Sequence, residues 1–337
     1  MADQRPVRGL PSIAEARDLR AQRKIPAASG KFWLFSLVAV VVISIFYWKK
    51  LQGENERTRA RILAKERAIA HESGKAWLTL RDRVERWTMT LAKDWKGKDD
   101  TDLVDPALQP QKDGGAGLWR EHGLYLRVTR DDAASVEKLR AAARESVRDA
   151  FTTCLLQRGR PKAPEGKECK KSKECDKGEI CNEVGHCSTP SDPYNLRVLY
   201  RGLVPLDEAW VRDVETASDE LRLRLREAEI DDVRDNDLPL ANEVLGKARY
   251  LLLVVDEIPK DLKPDPARAV ADVVQLERHT ARVAVIDLAT DKLLLRVQRV
   301  ADAQIPAVPG AAQEAIQRQV LNCALAERVR DAISAQD

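Results

Sequence analysis

The stretch YLLLVV (residues 250–255) contains no charged residue and is apolar on both of its faces. A strand that faces solvent on one side alternates apolar and polar residues, whereas a strand covered on both sides is apolar throughout. The stretch is also short enough for a strand and too short for most helices. It therefore predicts a central strand with helices on both faces of its sheet.

The segments around this strand predict a layered domain. GLYLRVTR (123–130) and NLRVLYRGL (195–203) have strand patterns, and ARVAVIDL and KLLLRVQRV (281–288 and 292–300) flank a short turn and predict a hairpin. Apolar residues at steps of three and four predict helices over 133–157, 206–234, 240–249 and 311–333. This order predicts one α/β (α+β) domain with a mixed sheet over residues 119–337, of about five strands and four helices.

A cysteine-rich insertion, residues 161–191, interrupts this domain. Its cysteines each lie six positions apart in GKECKKSKECDKGEICNEVGHCS, and they are Cys169, Cys175, Cys181 and Cys187. The residues between them are too polar to form a core, so the segment needs cross-links to fold. Disulfides are one interpretation, and the sequence does not choose among the three pairings. A zinc site is the alternative, but zinc ligands usually lie two to four residues apart, so we expect no metal.

The spacing C-x5-C-x5-C-x5-C, with its DKGEIC and GHC steps, resembles the small cysteine-rich repeats grouped with the Dickkopf N-terminal region. Similar modules occur in secreted and cell-surface proteins of some bacteria. The resemblance covers about 20 residues and implies an oxidising, extracytoplasmic location. The two remaining cysteines, Cys154 and Cys323, lie on the apolar faces of two predicted helices. If those helices lie side by side, Cys154 and Cys323 are each other's remaining partners, with Cα atoms about 4.4–6.8 Å apart.

Residues 32–48, which begin at Phe32 and end at Trp48, form an uncharged run of 17 residues. An α-helix of this length spans roughly 25 Å, and aromatic residues at both ends are typical of a membrane interface. A cleaved signal peptide is the main alternative, but WKKL follows the run and provides no small-residue cleavage site. The sequence therefore predicts one transmembrane signal-anchor helix whose partner is the lipid bilayer.

Charge does not decide the orientation of this helix. Residues 12–31 carry five basic side chains and residues 49–68 carry seven, which slightly favours a cytoplasmic C-terminus. The cysteine-rich insertion favours the opposite orientation, because disulfides persist in oxidising compartments. We predict a cytoplasmic tail over residues 1–31 and an extracytoplasmic domain in the periplasm or at the cell surface.

Residues 49–98 contain no proline and predict a long helix. Trp77, Leu80, Val84, Trp87 and Leu91 form one apolar stripe along it. The stripe predicts either a coiled-coil stalk that pairs two chains into a homodimer, or a helix that packs on its own domain. Residues 99–118, rich in Lys, Asp, Pro and Gly, predict a linker.

Motifs for catalysis or cofactor binding are missing from the sequence. There is no nucleophile elbow, no phosphate-binding loop and no zinc-protease motif, and the four histidines (71, 122, 186 and 279) are scattered. Asp231, Asp232 and Asp235 are interpreted as the solvated face of a helix. A net charge of +3 is too small to indicate nucleic acid. We expect no catalytic residue, cofactor or metal, and a non-catalytic envelope protein that binds another macromolecule as a sensor, scaffold or assembly factor. An envelope hydrolase with an unrecognised site and a structural tether are the alternatives.

Overall fold

A mixed six-stranded sheet organises the C-terminal part of the chain in the computed structural model. The structure describes residues 28–93, 102–109, 118–146, 149–156, 166–176, 179–181, 185–188, 193–263, 265–304 and 312–335. These residues divide into two units, Met1–Thr58 and Arg59–Asp337, and the sheet belongs to the second. The strands of the chain, in order, are β1 (Leu103–Val104), β2 (His122–Thr129), β3 (Ile180–Cys181), β4 (Cys187–Ser188), β5 (Tyr194–Asn195), β6 (Ala248–Asp256), β7 (His279–Asp287) and β8 (Lys292–Ala301). β3 and β4 form a separate two-stranded sheet, and the other six strands form the main sheet.

The strand order in the main sheet is β1-β8-β7-β6-β2-β5, which places β6 in the interior. β6 pairs in parallel with β2 and antiparallel with β7. The predicted central strand over residues 250–255 is confirmed, and so is the hairpin formed by β7 and β8. The mixed α/β character of the domain is therefore as predicted from the sequence.

Ten α-helices lie within the described residues, and two π-helical turns, Ala70–Gly74 and Val233–Asp237, interrupt them. The helices are α1 (Ala28–Ile69), α2 (Lys75–Ala92), α3 (Val136–Glu145), α4 (Ala150–Leu156), α5 (Arg197–Gly202), α6 (Glu208–Thr216), α7 (Glu220–Asp232), α8 (Leu238–Leu245), α9 (Val270–Val274) and α10 (Ala312–Ser334).

Helices cover both faces of the sheet, which explains why β6 is apolar throughout. Leu251, Leu253 and Val255 belong to a core that includes side chains of α2, α3, α5, α6, α7 and α8. Tyr250, Leu252 and Val254 belong to a second core, formed with α4 and α10. The two sets alternate along the strand because successive side chains point to opposite faces of a sheet.

Three predicted elements require correction. Residues 195–203 form a short strand and then helix α5, because Leu196, Leu199, Tyr200 and Leu203 recur at helical steps and are all buried. The predicted helix over 133–157 is two helices, separated where Ser146 adopts an extended ψ of 133°. The predicted helix over 206–234 is likewise two helices, with Asp219 capping the second through the Arg222 amide.

The predicted separate stalk over residues 49–98 is corrected from Arg59 onward. Trp77, Val84 and Leu91 are at most 5% exposed and belong to the first core of the domain. Gly202 of α5 allows this close packing, since a Cβ atom there would lie 2.8 Å from Trp77 Cζ3. The apolar stripe therefore packs on its own domain, as the second interpretation of the sequence has it.

The predicted linker over residues 99–118 also contributes to the fold, because β1 within it pairs with β8. Its residues 99–101 and 110–117 lie outside the described residues, as do residues 1–27 of the predicted tail. Near the N-terminus, one helix is long and apolar enough to cross a membrane, and the side chains of its apolar window are not buried. This agrees with the predicted span over residues 32–48.

Candidate functional site

An open cleft of about 590 Å³ lies among α3, α5, α6, α7 and the π turn Val233–Asp237. Six acidic and three basic side chains line it, together with Trp210, Ala209 and two valines. The basic residues are Arg144, Arg201 and Arg226, and the acidic residues are Glu145, Asp207, Asp213, Glu229, Asp232 and Asp237. We call this region the cleft.

Ion pairs fix most of the charges on the cleft walls. Arg144 Nη2 donates to Asp207 Oδ2 at 3.0 Å, which joins α3 to the start of α6. Arg226 donates to Asp213 at 2.8 Å and to Glu229 at 2.7 Å, which joins α7 to α6. Arg201 Nε donates to the Arg144 carbonyl. Each of the three arginines therefore forms a hydrogen bond with another residue that lines the cleft. Acidic side chains outnumber basic ones among the residues that line the cleft.

Asp237 is the most perturbed acid in the cleft. Burial of its carboxyl group, together with the nearby negative charge of Asp232, raises its pKa to about 7. Among the residues that the structure describes, neither Asp237 nor Glu145 forms a side-chain hydrogen bond or an ion pair. Arg201 and Arg197 lie near enough to Asp237 to lower its pKa, so their positive charges partly balance its carboxylate.

Asp235, on the same π turn, holds the cysteine-rich insertion against the domain. Lys171 Nζ and Lys173 Nζ lie 2.6 Å and 3.0 Å from its two carboxylate oxygens. Hydrogen bonds from Arg234 and Lys171 keep the pKa of Asp235 below its usual range. The interpretation of Asp235 as part of a solvated helix face is wrong, because its side chain is only 4% exposed. Asp231 is also engaged, with Lys65 Nζ at 2.7 Å.

The four cysteines of the insertion form two disulfides in the structure. Cys169 is bonded to Cys181 and Cys175 to Cys187, with Cα atoms 5.8 Å and 5.5 Å apart. The sulfur atoms of Cys169, Cys175 and Cys187 lie within 4.8 Å of one another, which is close enough for a shared metal ion. A sulfur in a disulfide is not a thiolate, however, and thiolates are the metal ligands. The disulfide pairing therefore does not fit the zinc interpretation.

Cys154 of α4 and Cys323 of α10 form the third disulfide, with Cα atoms 5.2 Å apart. This distance meets the condition set by the sequence, because both helices pack side by side on the second face of the sheet. The bond lies beside a shallow groove of about 660 Å³, whose apolar side chains include Ile316 and Val320. The groove contains no convergent set of charged groups.

Four ionisable residues meet under α4 and α10, where they form the buried cluster. Arg127 of β2 donates from Nε and Nη2 to both carboxylate oxygens of Asp256, at 2.7 Å and 3.0 Å. Its Nη1 atom donates to Asp149 Oδ2 at 2.8 Å and to Asn322 Oδ1 at 2.5 Å. His279 Nε2 lies 3.1 Å from Asp256 Oδ1. Parallel pairing of β2 with β6 brings Arg127 and Asp256 to the same end of the sheet.

The charges of the buried cluster stabilise one another. Burial alone would raise the pKa of Asp256, but the positive charge of Arg127 and the hydrogen bond from His279 outweigh it, and the pKa is about 2. The side chains of Arg127, Asp149, Asp256 and His279 are at most 4% exposed. A ligand cannot reach these atoms while α4 and α10 are in place, so the buried cluster is a structural element.

Sequence reasoning identified the cysteines but missed both charged regions. One signal for the buried cluster was available: Arg127 replaces an apolar residue in a strand that is otherwise buried, and Asp256 directly follows YLLLVV. The cleft had no comparable signal, because its residues come from five separate segments. His71, His122 and His186 are not part of either region.

No protein-family model, no curated protein and no solved structure matches the chain.

Proposed function

We propose that the chain is a membrane-anchored envelope protein without catalytic activity, and that its cleft binds another macromolecule. In this proposal the apolar helix around residues 32–48 is the anchor, the N-terminal tail is cytoplasmic and the domain lies outside the cytoplasm. The role is that of a sensor, a scaffold or an assembly factor. The Dickkopf-like resemblance of the insertion is consistent with this location.

The three disulfides support the extracytoplasmic part of the proposal. They cross-link all six cysteines of the chain. Disulfides form and persist in oxidising compartments and are rare in the cytosol. A phosphatase fused after Asp337, which is active only outside the cytoplasm, should therefore be active, and a reporter that works only in the cytosol should be silent. The reverse pattern would overturn the location.

The open cleft is the observation that carries the binding function. Its described lining residues are Arg, Asp, Glu, Trp, Ala and Val, so it offers no Ser, Thr, Cys, Lys or His as a nucleophile or base. The buried cluster, where titratable groups do converge, is closed to ligands. An open, charged surface without a nucleophile suits recognition of a partner better than chemistry.

A photo-crosslinking amino acid at Ala209 tests this function in intact membranes. Ala209 is exposed and lines the cleft, so replacing it should leave the fold unchanged. We expect a discrete adduct with one macromolecule from Ala209 and none from Gln298, an exposed residue of β8 outside the cleft. If both positions give the same adducts, or if Ala209 gives none, the cleft is not the binding site.

An envelope hydrolase is the second candidate, and one observation favours it. With a pKa of about 7, Asp237 is partly protonated at neutral pH and has Asp232 nearby, and glycoside hydrolases use one carboxyl group as an acid and another as a carboxylate. Release of reducing sugars from purified envelope polysaccharide, abolished by Asp237→Asn, would replace the binding function with this one.

A further inference from the structure

Two leucines on α7 are exposed within the part of the chain that the structure describes. Leu221 and Leu225 are 69% and 63% exposed, and no other large apolar side chain in the described part of the C-terminal unit exceeds 45%. Both follow the N-cap Asp219, in a turn where arginine alternates with leucine. Leu223, on the opposite face of the helix, is buried in the first core. The exposed leucines therefore contribute nothing to the packing of α7 on the domain.

The face of α7 that carries these leucines also carries one residue of the cleft. Leu221, Leu225, Ala228 and Asp232 follow one another at steps of four, three and four, which places them on one face of the helix. Ala228 is exposed, and Asp232 lines the cleft. We call Leu221, Leu225 and Ala228 the leucine stripe. A partner that reaches Asp232 along this face of α7 therefore also covers the leucine stripe.

The charges indicate what such a partner carries. The cleft has six acidic and three basic side chains, although the whole chain has a net charge of +3. Arg81 and Arg222, outside the cleft, also pair with Asp207 and Asp213. A basic segment is therefore attracted mainly to Glu145 and Asp232, which form no ion pair within the described residues. Electrostatic complementarity of this kind favours correct docking over other orientations.

We infer that the partner presents an amphipathic helix with basic residues, whose apolar side chains pack on the leucine stripe and whose Lys or Arg side chains enter the cleft beside Glu145, Asp232 and Asp237. This inference rests on the proposed function and specifies its partner class. A helix in a groove is recognised through apolar anchors at positions i, i+3, i+4 and i+7, and the leucine stripe offers the matching spacing on the receptor side. The basic face of the helix supplies counter-charges for Glu145 and Asp232, which form no ion pair within the described residues.

Ionisation of Asp237 gives this interaction a pH dependence. Burial and the charge of Asp232 raise its pKa to about 7 against the opposing positive charges of Arg201 and Arg197, so the carboxyl group loses its proton between pH 6 and pH 8. A cationic side chain binds the ionised form more strongly. Affinity for a basic helix should therefore rise over this range, and Asp237→Asn should remove most of the rise.

The test uses the full-length protein in phosphatidylcholine nanodiscs and a fluorescent peptide of two Leu-Lys-Lys-Leu-Leu-Lys-Lys repeats, with empty nanodiscs as background. A permuted peptide of the same composition lacks the helical period. We expect the amphipathic peptide to bind about tenfold more tightly than the permuted one. Leu221→Ser combined with Leu225→Ser should remove this preference, because two apolar contacts are lost. Both leucines are exposed, so the variant should fold normally.

A matched pair of charge reversals completes the test. Asp232→Lys should weaken binding of the amphipathic peptide about tenfold, whereas Glu215→Lys, an exposed change on α6 outside the cleft, should not. The inference is overturned if the permuted peptide binds equally well, or if the leucine variant keeps full affinity. It is also overturned if brominated lipids quench a fluorophore at residue 225, because the leucine stripe would then face the bilayer. An adduct from Ala209 that persists in any of these cases would leave the proposed function standing.

Discussion

The buried cluster and the cleft are built from the same side chains, arginine and aspartate, but differ in exposure. In the buried cluster, Arg127 contacts Asp149 and Asp256, and all three side chains are at most 4% exposed. In the cleft, Arg226 contacts Asp213 with side-chain exposures of 32% and 17%. Charge–charge contacts inside a protein cannot be replaced by water, whereas contacts at the surface can.

Because of this difference, we assign the buried cluster to the stability of the fold and the cleft to the binding of a partner. The buried cluster lies between a sheet and two helices, so its contacts serve to hold those elements together. More acidic than basic side chains line the cleft, and Glu145 and Asp232 form no ion pair within the described residues. We expect changes in the buried cluster to reduce stability strongly, and changes in the cleft to alter binding with little effect on stability.

Arg127→Met should have the largest effect. It leaves Asp149 and Asp256 buried without their main counter-charge, and breaking a buried ion pair in this way costs about 3–5 kcal/mol. Arg226→Met in the cleft is the matched control, with an expected cost of about 1 kcal/mol or less. Denaturant unfolding of the full-length protein in detergent measures both. Equal losses of unfolding free energy would contradict the assignment of the buried cluster as structural.

Removal of the Cys154–Cys323 disulfide should have the next largest effect. The bond closes a loop with a sequence separation of 169, for which the chain-entropy argument gives about 4–5 kcal/mol as an upper value. Cys154→Ser with Cys323→Ser should therefore lower the unfolding free energy of the domain by about 2–4 kcal/mol. Cys175→Ser with Cys187→Ser, across a separation of 12, is the control and should mainly loosen the insertion. A larger loss from the control would show that the insertion, not the helix pair, limits stability.

Asp237→Asn should have a smaller effect that depends on pH. The unfolded chain loses this proton near the usual aspartate pKa of about 4, whereas the folded chain keeps it until about pH 7. The folded state therefore binds more protons in this window, and stability falls as the pH rises through it. The variant lacks this loss. As the pH rises from 4 to 8, its unfolding free energy should therefore increase by about 1–3 kcal/mol relative to that of the natural chain. Unfolding curves at both pH values test this, and a pH-independent difference would contradict the shifted pKa.

The sequence predicted those elements whose pattern of apolar and polar residues matches the burial of their faces. YLLLVV has the pattern of a strand covered on both sides, and β6 has that environment in the structure. The alternation in residues 281–300 likewise predicted a hairpin that the structure contains. Residues 195–203 misled because Leu196, Val198 and Tyr200 alternate like a strand, while Leu196, Leu199, Tyr200 and Leu203 also fit a helix.

The cleft could not be predicted, since it depends on tertiary packing of five segments. In sequence, Asp231, Asp232, Asp235 and Asp237 form one acidic run. The π turn rotates them into different surroundings, where Asp231 contacts Lys65, Asp235 contacts the insertion, and Asp232 and Asp237 face the cleft. A regular helical pattern does not anticipate an extra residue in a turn, so the separate roles of these acids were hidden.

The yield of the Ala209 adduct in charge-reversal variants of the protein is the sharpest test of the cleft as the binding site. Glu145→Lys combined with Asp232→Lys reverses two exposed acids of the cleft, and Glu215→Lys makes the same kind of change on α6 outside it. We predict that the first variant loses most of the adduct, that the second keeps it, and that both unfold within about 0.5 kcal/mol of the natural chain. Unchanged adduct yield in the first variant, with its fold intact, would contradict the claim that the charges of the cleft bind the partner.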